Sequence, residues 1–365
     1  MKYKLTKIAK NLPATVPFVG PETQERENNY KFLARIGANE SVFGPSKKGE
    51  DAIKIAAGSS WQYGDPENFD LIDALAGFYS LKRENFVVGE GIDGLLGYLV
   101  RLFLEPGDRV VTSLGAYPTF NYHVVGFGGK LSFVPYKNFH EDLSGLIKEA
   151  KKVKAKILYF SNPDNPMSTF HSKKDVQKFI DEVPDDTLLC LDEAYSDFVN
   201  QDELADLDTS RSNVIRFRTF SKAYGLAGLR VGYAIGNSML ISSFNKVRNH
   251  FGVNKIGQIA ALAALEDQEY LRKTLIAVEE SKLRIKNIFG EMGFSSLESH
   301  TNFVAINMGK DANYAKKILT ELIRHKIFVR MPGVAPLNSF IRVSAGQKED
   351  LENLEKAISK ILRRN

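Results

Sequence analysis

The rhythm of apolar and polar positions divides the chain into three stretches. Up to about residue 45 there is no sustained rhythm. Prolines at 13, 17, 21 and 45 interrupt it, and the run from Glu22 to Asn29 is wholly polar. This stretch reads as an irregular arm rather than core. From Glu67 the pattern alternates between two periods. Leu71, Leu75 and Phe78 recur at helical spacing, residues 86–88 form a short apolar run, and 92–104 return to an apolar-rich helix. Strands are predicted at 109–112, 131–135, 157–160, 187–191, 214–220 and 231–235, and helices at 117–125 and 143–151. A further helix opens at Ser172, where Asp175 three residues on makes an approximate capping box. Strands that alternate with helices predict an α/β fold, a mostly parallel central sheet covered by helices on both faces.

After Asn237 the pattern predicts a long helical region to about residue 289. Strands at 303–307, 327–330 and 340–343 and helices at 312–325 and 348–362 follow. In the last helix Leu351, Leu354, Ile358 and Ile361 share one face. This block reads as a smaller α+β domain. The expected division is an arm at 1–45 packing with the small domain, a large domain at 46–248, and a small domain at 249–365 that includes the linking helix.

Composition narrows the function classes. Of 365 residues, 43% are hydrophobic and 25% charged, as in ordinary globular chains. The net charge of +5 is modest and its bases are interspersed with acids, so no nucleic-acid stripe is expected. The single cysteine, Cys190, excludes an internal disulfide and fits a reducing, cytoplasmic location. The lysines near the N-terminus precede no apolar run, so no signal peptide is expected, and no stretch approaches the ~18 apolar residues of a membrane span. The six histidines lack metal-ligand spacing, and no metal is expected.

Five strings carry candidate chemistry. In residues 218–232, RTFSKAYGLAGLRVG, Lys222 follows a β-rich run and Arg230 lies eight residues further on. A desolvated lysine is a nucleophile or Schiff-base former, and a serine hydroxyl with an arginine fork suits phosphate. Gly89 to Gly94 matches G-x-G-x-x-G between a strand and a helix, where free N–H groups and the helix dipole favour an anion. The acid that a dinucleotide site needs after the next strand is missing, which counts against a Rossmann site. SNPDNPM at 161–167 is a stiff turn after a strand, and Asp192 ends another strand, where open α/β sheets bind ligands. Arg342 lies inside an apolar strand and so calls for an anion. Taken singly, each string also suits a plain turn, a surface lysine, a capping acid or a strand-edge ion pair.

Together and in their order along the chain, the strings resemble the class I/II aminotransferases, fold-type I enzymes that use pyridoxal 5'-phosphate. The resemblance runs from about Asn39 to Gly346, and ANESVFGPS at 38–46 is similar to the histidinol-phosphate branch. It implies that Lys222 is the Schiff-base lysine and general base, and that Ser221, Arg230 and the N–H groups of Ile92 and Asp93 hold the cofactor's phosphate. Tyr117 would stack on its ring, Asp192 would pair with the ring nitrogen, and Asn165 and Tyr195 would bond its phenolic oxygen. Arg342, with Asn39 and more weakly Arg330, would bind substrate. Tyr63, in WQYGDP, would reach the phosphate of a neighbouring subunit in a homodimer with shared sites. The implied partners are a small amino donor and a 2-oxo acid such as 2-oxoglutarate. This chain departs from the family strings at Leu114-Gly115, Gly64-Asp65 and Met167-Ser168. Two other readings stay open: a lyase of the threonine-phosphate decarboxylase type, and a cofactor-binding module without turnover, for whose usual DNA-binding domain the chain has no spare length.

Overall fold

In a computed structural model, residues 4–14 and 19–363 are described. A seven-stranded sheet runs in the spatial order Phe86–Gly89, Gly232–Gly236, Val214–Thr219, Leu188–Asp192, Ile157–Ser161, Arg109–Ser113, Lys130–Val134. Neighbouring pairs are parallel except at Gly232–Gly236, which is antiparallel to both of its neighbours. The sheet is mostly parallel, as the alternation predicts, with one antiparallel strand near an edge.

Strand residues alternate between two cores. Val110, Tyr159, Cys190 and Phe217 face the helix Gly91–Phe103, while Val111, Leu158, Leu189 and Leu191 face helices Leu143–Val153 and Lys173–Glu182. The two-residue period of a strand divides near-continuous apolar runs in this way. Four of the five parallel strands end at Ser113, Ser161, Asp192 and Thr219, so these residues lie along one edge of the sheet.

A second, three-stranded antiparallel sheet joins Phe340–Ser344, Phe303–Asn307 and Ser295–Ser296. It shares a core with helices Gln268–Gly290, Ala312–Arg324 and Lys348–Leu362. Ala34–Arg35 pairs in parallel with Ile327–Phe328, which ties the N-terminal stretch to this unit.

The structure corrects several expectations. The polar run at 22–29 is not irregular but falls in a helix, Pro21–Asn28. Pro21 occupies the first turn, Asn29 closes the helix at φ 52°, and buried Glu25 accepts from Lys31 Nζ at 2.7 Å and Phe32 N at 3.1 Å. Tertiary contacts replace the missing apolar face. The single helical region expected after Asn237 is broken into Ser238–Ser243, Lys255–Leu265 and Gln268–Gly290. Each restart has a side-chain cap: Asn254 accepts from Gly257 N at 2.7 Å and Asp267 from Tyr270 N at 3.3 Å. A helix at Lys47–Ala57, capped by Ser46, packs on Lys255–Leu265. The strand expected at 327–330 shrinks to Ile327–Phe328, with Arg330 meeting Arg342 only in an isolated bridge.

Candidate active site

At the carboxyl edge of the large sheet lies a cavity of about 230 Å³. Nine residues picked out from sequence line it: Ile92, Asp93, Tyr117, Asn165, Asp192, Tyr195, Ser221, Lys222 and Arg230. They come from strand ends and the turns that follow, which the sheet order brings side by side.

Lys222 follows the strand Val214–Thr219, and its Nζ donates to Asn39 O at 3.2 Å and lies 5.7 Å from the centre of the Tyr195 ring. Burial, with Arg342 nearby, lowers its pKa to about 8, a direction that favours the neutral, nucleophilic amine. Asp192 is buried. Its Oδ2 accepts from Tyr159 Oη at 2.6 Å and its Oδ1 from Ala194 N at 2.9 Å. Desolvation raises this carboxyl to about 6, and the Tyr159 bond opposes the rise. The Tyr195 hydroxyl accepts from Asn39 Nδ2 at 2.8 Å and from Asn165 Nδ2 at 3.4 Å. Burial pushes it up to about 12, so it stays protonated at neutral pH.

One end of the cavity is suited to an anion. Arg230 Nη1 lies 3.4 Å from Ser221 Oγ, and the helix Gly91–Phe103 starts beside it without a side-chain cap. Arg230 holds φ 56°, a left-handed conformation that costs a side-chain-bearing residue about 1–2 kcal/mol. Gly91 and Gly232 keep the cradle open. A Cβ on Gly91 would stand 2.5 Å from Arg230 Nη2, and one on Gly232 2.8 Å from Ile92 N. Asp93 presents a carboxylate here as well, 3.7 Å from Arg230 Nη2, and accepts from Tyr117 Oη at 2.9 Å.

Four sequence candidates do not line the cavity. Arg342 stands behind its wall, donating to Asn165 Oδ1, with its guanidinium 5.0 Å from the centre of the Phe303 ring. Its buried Nε has no hydrogen-bond partner. Asn39 is a hub rather than a free contact. Besides Tyr195 and Lys222, it bonds Ser344 Oγ through its backbone N at 3.1 Å and its Oδ1 at 3.0 Å, and its carbonyl accepts from Asn302 Nδ2 at 3.1 Å. Arg330 sits beside Arg342 through their backbone bridge and donates to Val19 O at 3.1 Å. Tyr63 lies apart, 79% exposed, its ring 4.7 Å from that of Phe251.

Sequence reasoning missed Tyr159, Glu40 and Ser161, which line the cavity, and the buried Glu193 beneath it. Glu193 bonds Arg216 at 2.9 Å and Arg218 at 2.8 Å. The alternation of charge with apolar residues in the strand 214–219 was the available signal for that triad. Among the described residues no cluster of His, Cys, Asp or Glu could hold a metal, and no helix is long and apolar enough to cross a membrane.

Residues 27–361 match the family model described as aminotransferase class I and II. Histidinol-phosphate aminotransferase of Moorella thermoacetica is 32% identical, covering 95% of this chain and 90% of its own length. Histidinol-phosphate aminotransferase 2 of Hydrogenovibrio crunogenus is 33% identical over 93% of this chain and 91% of its own. The crystal structure of histidinol-phosphate aminotransferase from Sinorhizobium meliloti, in complex with pyridoxal-5'-phosphate, is 48% identical. It superposes with a TM-score of 0.96 over 99% of this chain and 98% of that one.

Proposed function

The chain belongs to the aminotransferase class I and II family, and from that premise we propose that its cavity holds pyridoxal 5'-phosphate and moves an amino group from a donor such as histidinol phosphate to a 2-oxo acid. The observation that carries this reading is that Lys222, Asp192 and Arg230 line one cavity: an amine, a carboxylate and a guanidinium in a single space.

The residues present fit the cofactor. Arg230, Ser221 and the uncapped helix start suit its phosphate, and the two glycines leave that cradle open. The buried, unpartnered Nε of Arg342 suits a substrate carboxylate just beyond. When bound, pyridoxal phosphate supplies the electron sink that stabilises negative charge on the donor's carbon. The chain's residues do the rest. Asp192 would hold a positive charge at the ring nitrogen, which would keep that sink effective. Tyr195 and Asn165 would orient the ring by hydrogen bonds to its phenolic oxygen, and Tyr117 would cover one face. Lys222 Nζ takes the proton from the donor carbon that bears the amine, and its lowered pKa keeps part of it neutral near pH 7.

The names of the relatives and the ANESVFGPS string support a donor of the histidinol-phosphate kind. The neighbouring pair Arg330 and Arg342 supports a substrate with anionic groups. The arm and the small unit contribute Asn39 and Arg342 to a site otherwise built by the large unit, which supports the expected three-part division. The working unit in this reading is a cytoplasmic homodimer. The exposed aromatic loop at 61–63 supports the dimer, and a lone, buried, unpaired cysteine supports the compartment.

The test is a donor screen by absorbance on the pyridoxal phosphate-loaded protein. A productive donor should shift the visible band, and 2-oxoglutarate should restore it. Release of carbon dioxide without need of a 2-oxo acid would make the enzyme a lyase and end this proposal.

A further inference from the structure

We propose that Tyr159 is a positioning residue: its hydroxyl holds the Asp192 carboxylate ionised and turned so that one edge faces the cavity. The inference rests on the cofactor reading above, because Asp192 is there the partner of the ring nitrogen.

Tyr159 lies on the strand Ile157–Ser161, in register with Cys190 of the strand that ends at Asp192. Its ring is fully buried and stacks on Phe120 at 4.5 Å with an interplanar angle of 17°. The ring has little freedom to rotate away, so the hydroxyl is fixed in place. It gives Asp192 Oδ2 a bond of 2.6 Å, in the short range of O–H donors to an ionised oxygen. The other oxygen takes the Ala194 N–H. Each carboxylate oxygen keeps a second lone pair, and Asp192 lines the cavity.

No cation does this work. Among the described residues no ammonium or guanidinium pairs with Asp192 within salt-bridge distance. The ionisable groups that act on it most directly are Asp93 at the helix start, Tyr117 and Tyr195 in the cavity wall, and Cys190 and Glu193 on its own strand and turn. These are acids or neutral hydroxyls and thiols, and Glu193 is spent on Arg216 and Arg218. The cations Lys222 and Arg230 line the same cavity, and neither pairs with Asp192. Burial and the neighbouring acids push the carboxyl up, and the two donated hydrogen bonds oppose them, that of Tyr159 the more strongly. A pyridine nitrogen and a carboxylate that face each other share one proton. The proton stays on nitrogen only if the carboxylate is the weaker base, and a hydroxyl donor makes it weaker.

Tyr159→Phe removes the hydroxyl and leaves the ring to fill the same space. In the full chain before cofactor is added, the Asp192 carboxyl can be followed by infrared difference spectra, with Asp192→Asn to assign the band. Tyr159→Phe should raise its midpoint by about one pH unit. Replacing Tyr159 with 3-fluorotyrosine, a stronger donor, should lower it, and this arm decides the matter if the phenylalanine variant folds poorly. On the holoenzyme loaded with ring-15N pyridoxal phosphate, Tyr159→Phe should move the nitrogen resonance toward unprotonated pyridine. An Asp192 midpoint that neither replacement moves, even with a lowered melting temperature, would make Tyr159 a packing residue and overturn the proposal. If pyridoxal phosphate fails to bind at all, the cofactor reading falls, while the infrared arm still decides the role of Tyr159.

Discussion

At the residue scale, Lys222 and Arg342 are linked through charge. Burial is the larger cause of the low Lys222 pKa and Arg342 the next. In cofactor-free protein, acylation of Lys222 should therefore rise with pH to a midpoint near 8, and Arg342→Ala should move that midpoint upward toward the ordinary 10.5. Quantitative peptide mapping of a pulse of acylating reagent reads both, and a wild-type midpoint near 10.5 would contradict the geometry. Lys222→Ala should lower turnover by at least about 10³-fold, because it removes both nucleophile and base. Arg342→Ala should raise KM for the 2-oxo acid by about 10–100-fold, the worth of a charged, bidentate contact, and Arg342→Lys should not restore it. Steady-state kinetics with varied 2-oxo acid checks this. These residues were legible in the sequence because Lys222 follows a strand inside a short string and Arg342 is a lone charge inside an apolar strand. Tyr159, Asn302 and Ser344 were not. Their partners are distant in sequence, Asp192 for the first and Asn39 for the other two, and only the folded sheet order brings them together.

At the element scale, the turn between the strand Ile157–Ser161 and residue 169 presents Asn165 to both Tyr195 and Arg342. Two buried carboxyl groups hold it. Glu141 accepts from Ser113 Oγ at 2.6 Å and Ser161 Oγ at 2.8 Å, and Asp164 from Tyr136 Oη at 2.8 Å and Met167 N at 2.9 Å. The Met167-Ser168 departure is absorbed here: Ser168 takes φ 63° and its N–H bonds Asp164 O at 3.1 Å. Burial raises both carboxyl groups above the ordinary range, with the neighbouring Asp164 adding to the rise at Glu141, so each binds its proton more tightly folded than unfolded. That contribution to stability is complete below the unfolded carboxyl pKa and is lost as pH rises through the folded values. Wild-type stability should therefore fall between pH 5 and 8, and Glu141→Gln, neutral throughout, should lose less by on the order of 2 kcal/mol. Urea unfolding at the two pH values measures the difference, and parallel profiles would show that Glu141 is ionised in the fold. The alternating elements around this turn were readable from periodicity alone. The helix Pro21–Asn28 and the antiparallel strand Gly232–Gly236 were not. The first is held by contacts of Glu25 beyond its own helix, and strand direction leaves no mark on an apolar run.

At the scale of the whole molecule, the surface around the aromatic loop is unfinished. Ile55 is 84% exposed, Trp61 81% and Tyr63 79%, and half-exposed Phe251 stacks against Tyr63. Large exposed apolar side chains close together along the chain, with Phe251 against one of them, suit an interaction surface, and for a single chain a second copy related by a two-fold axis is the simplest partner. Trp61 is the chain's one tryptophan, so its emission reports this surface alone. It should be blue-shifted at micromolar concentration and move to the red on dilution as dimers part. A sharper test concerns Tyr63, which is far from its own cavity and is expected to serve its partner's. Lys222→Ala and Tyr63→Ala proteins, each impaired alone, are unfolded together, mixed in equal amounts and refolded. If Tyr63 acts across the interface, one of the two sites in every mixed dimer has Lys222 from one chain and Tyr63 from the other. Half the dimers are mixed, so activity should recover to about a quarter of wild type. If Tyr63 acts on its own chain's site, every site keeps one defect and mixing restores nothing. The same null result with Trp61 still exposed at high concentration would leave this chain a monomer with a self-sufficient site.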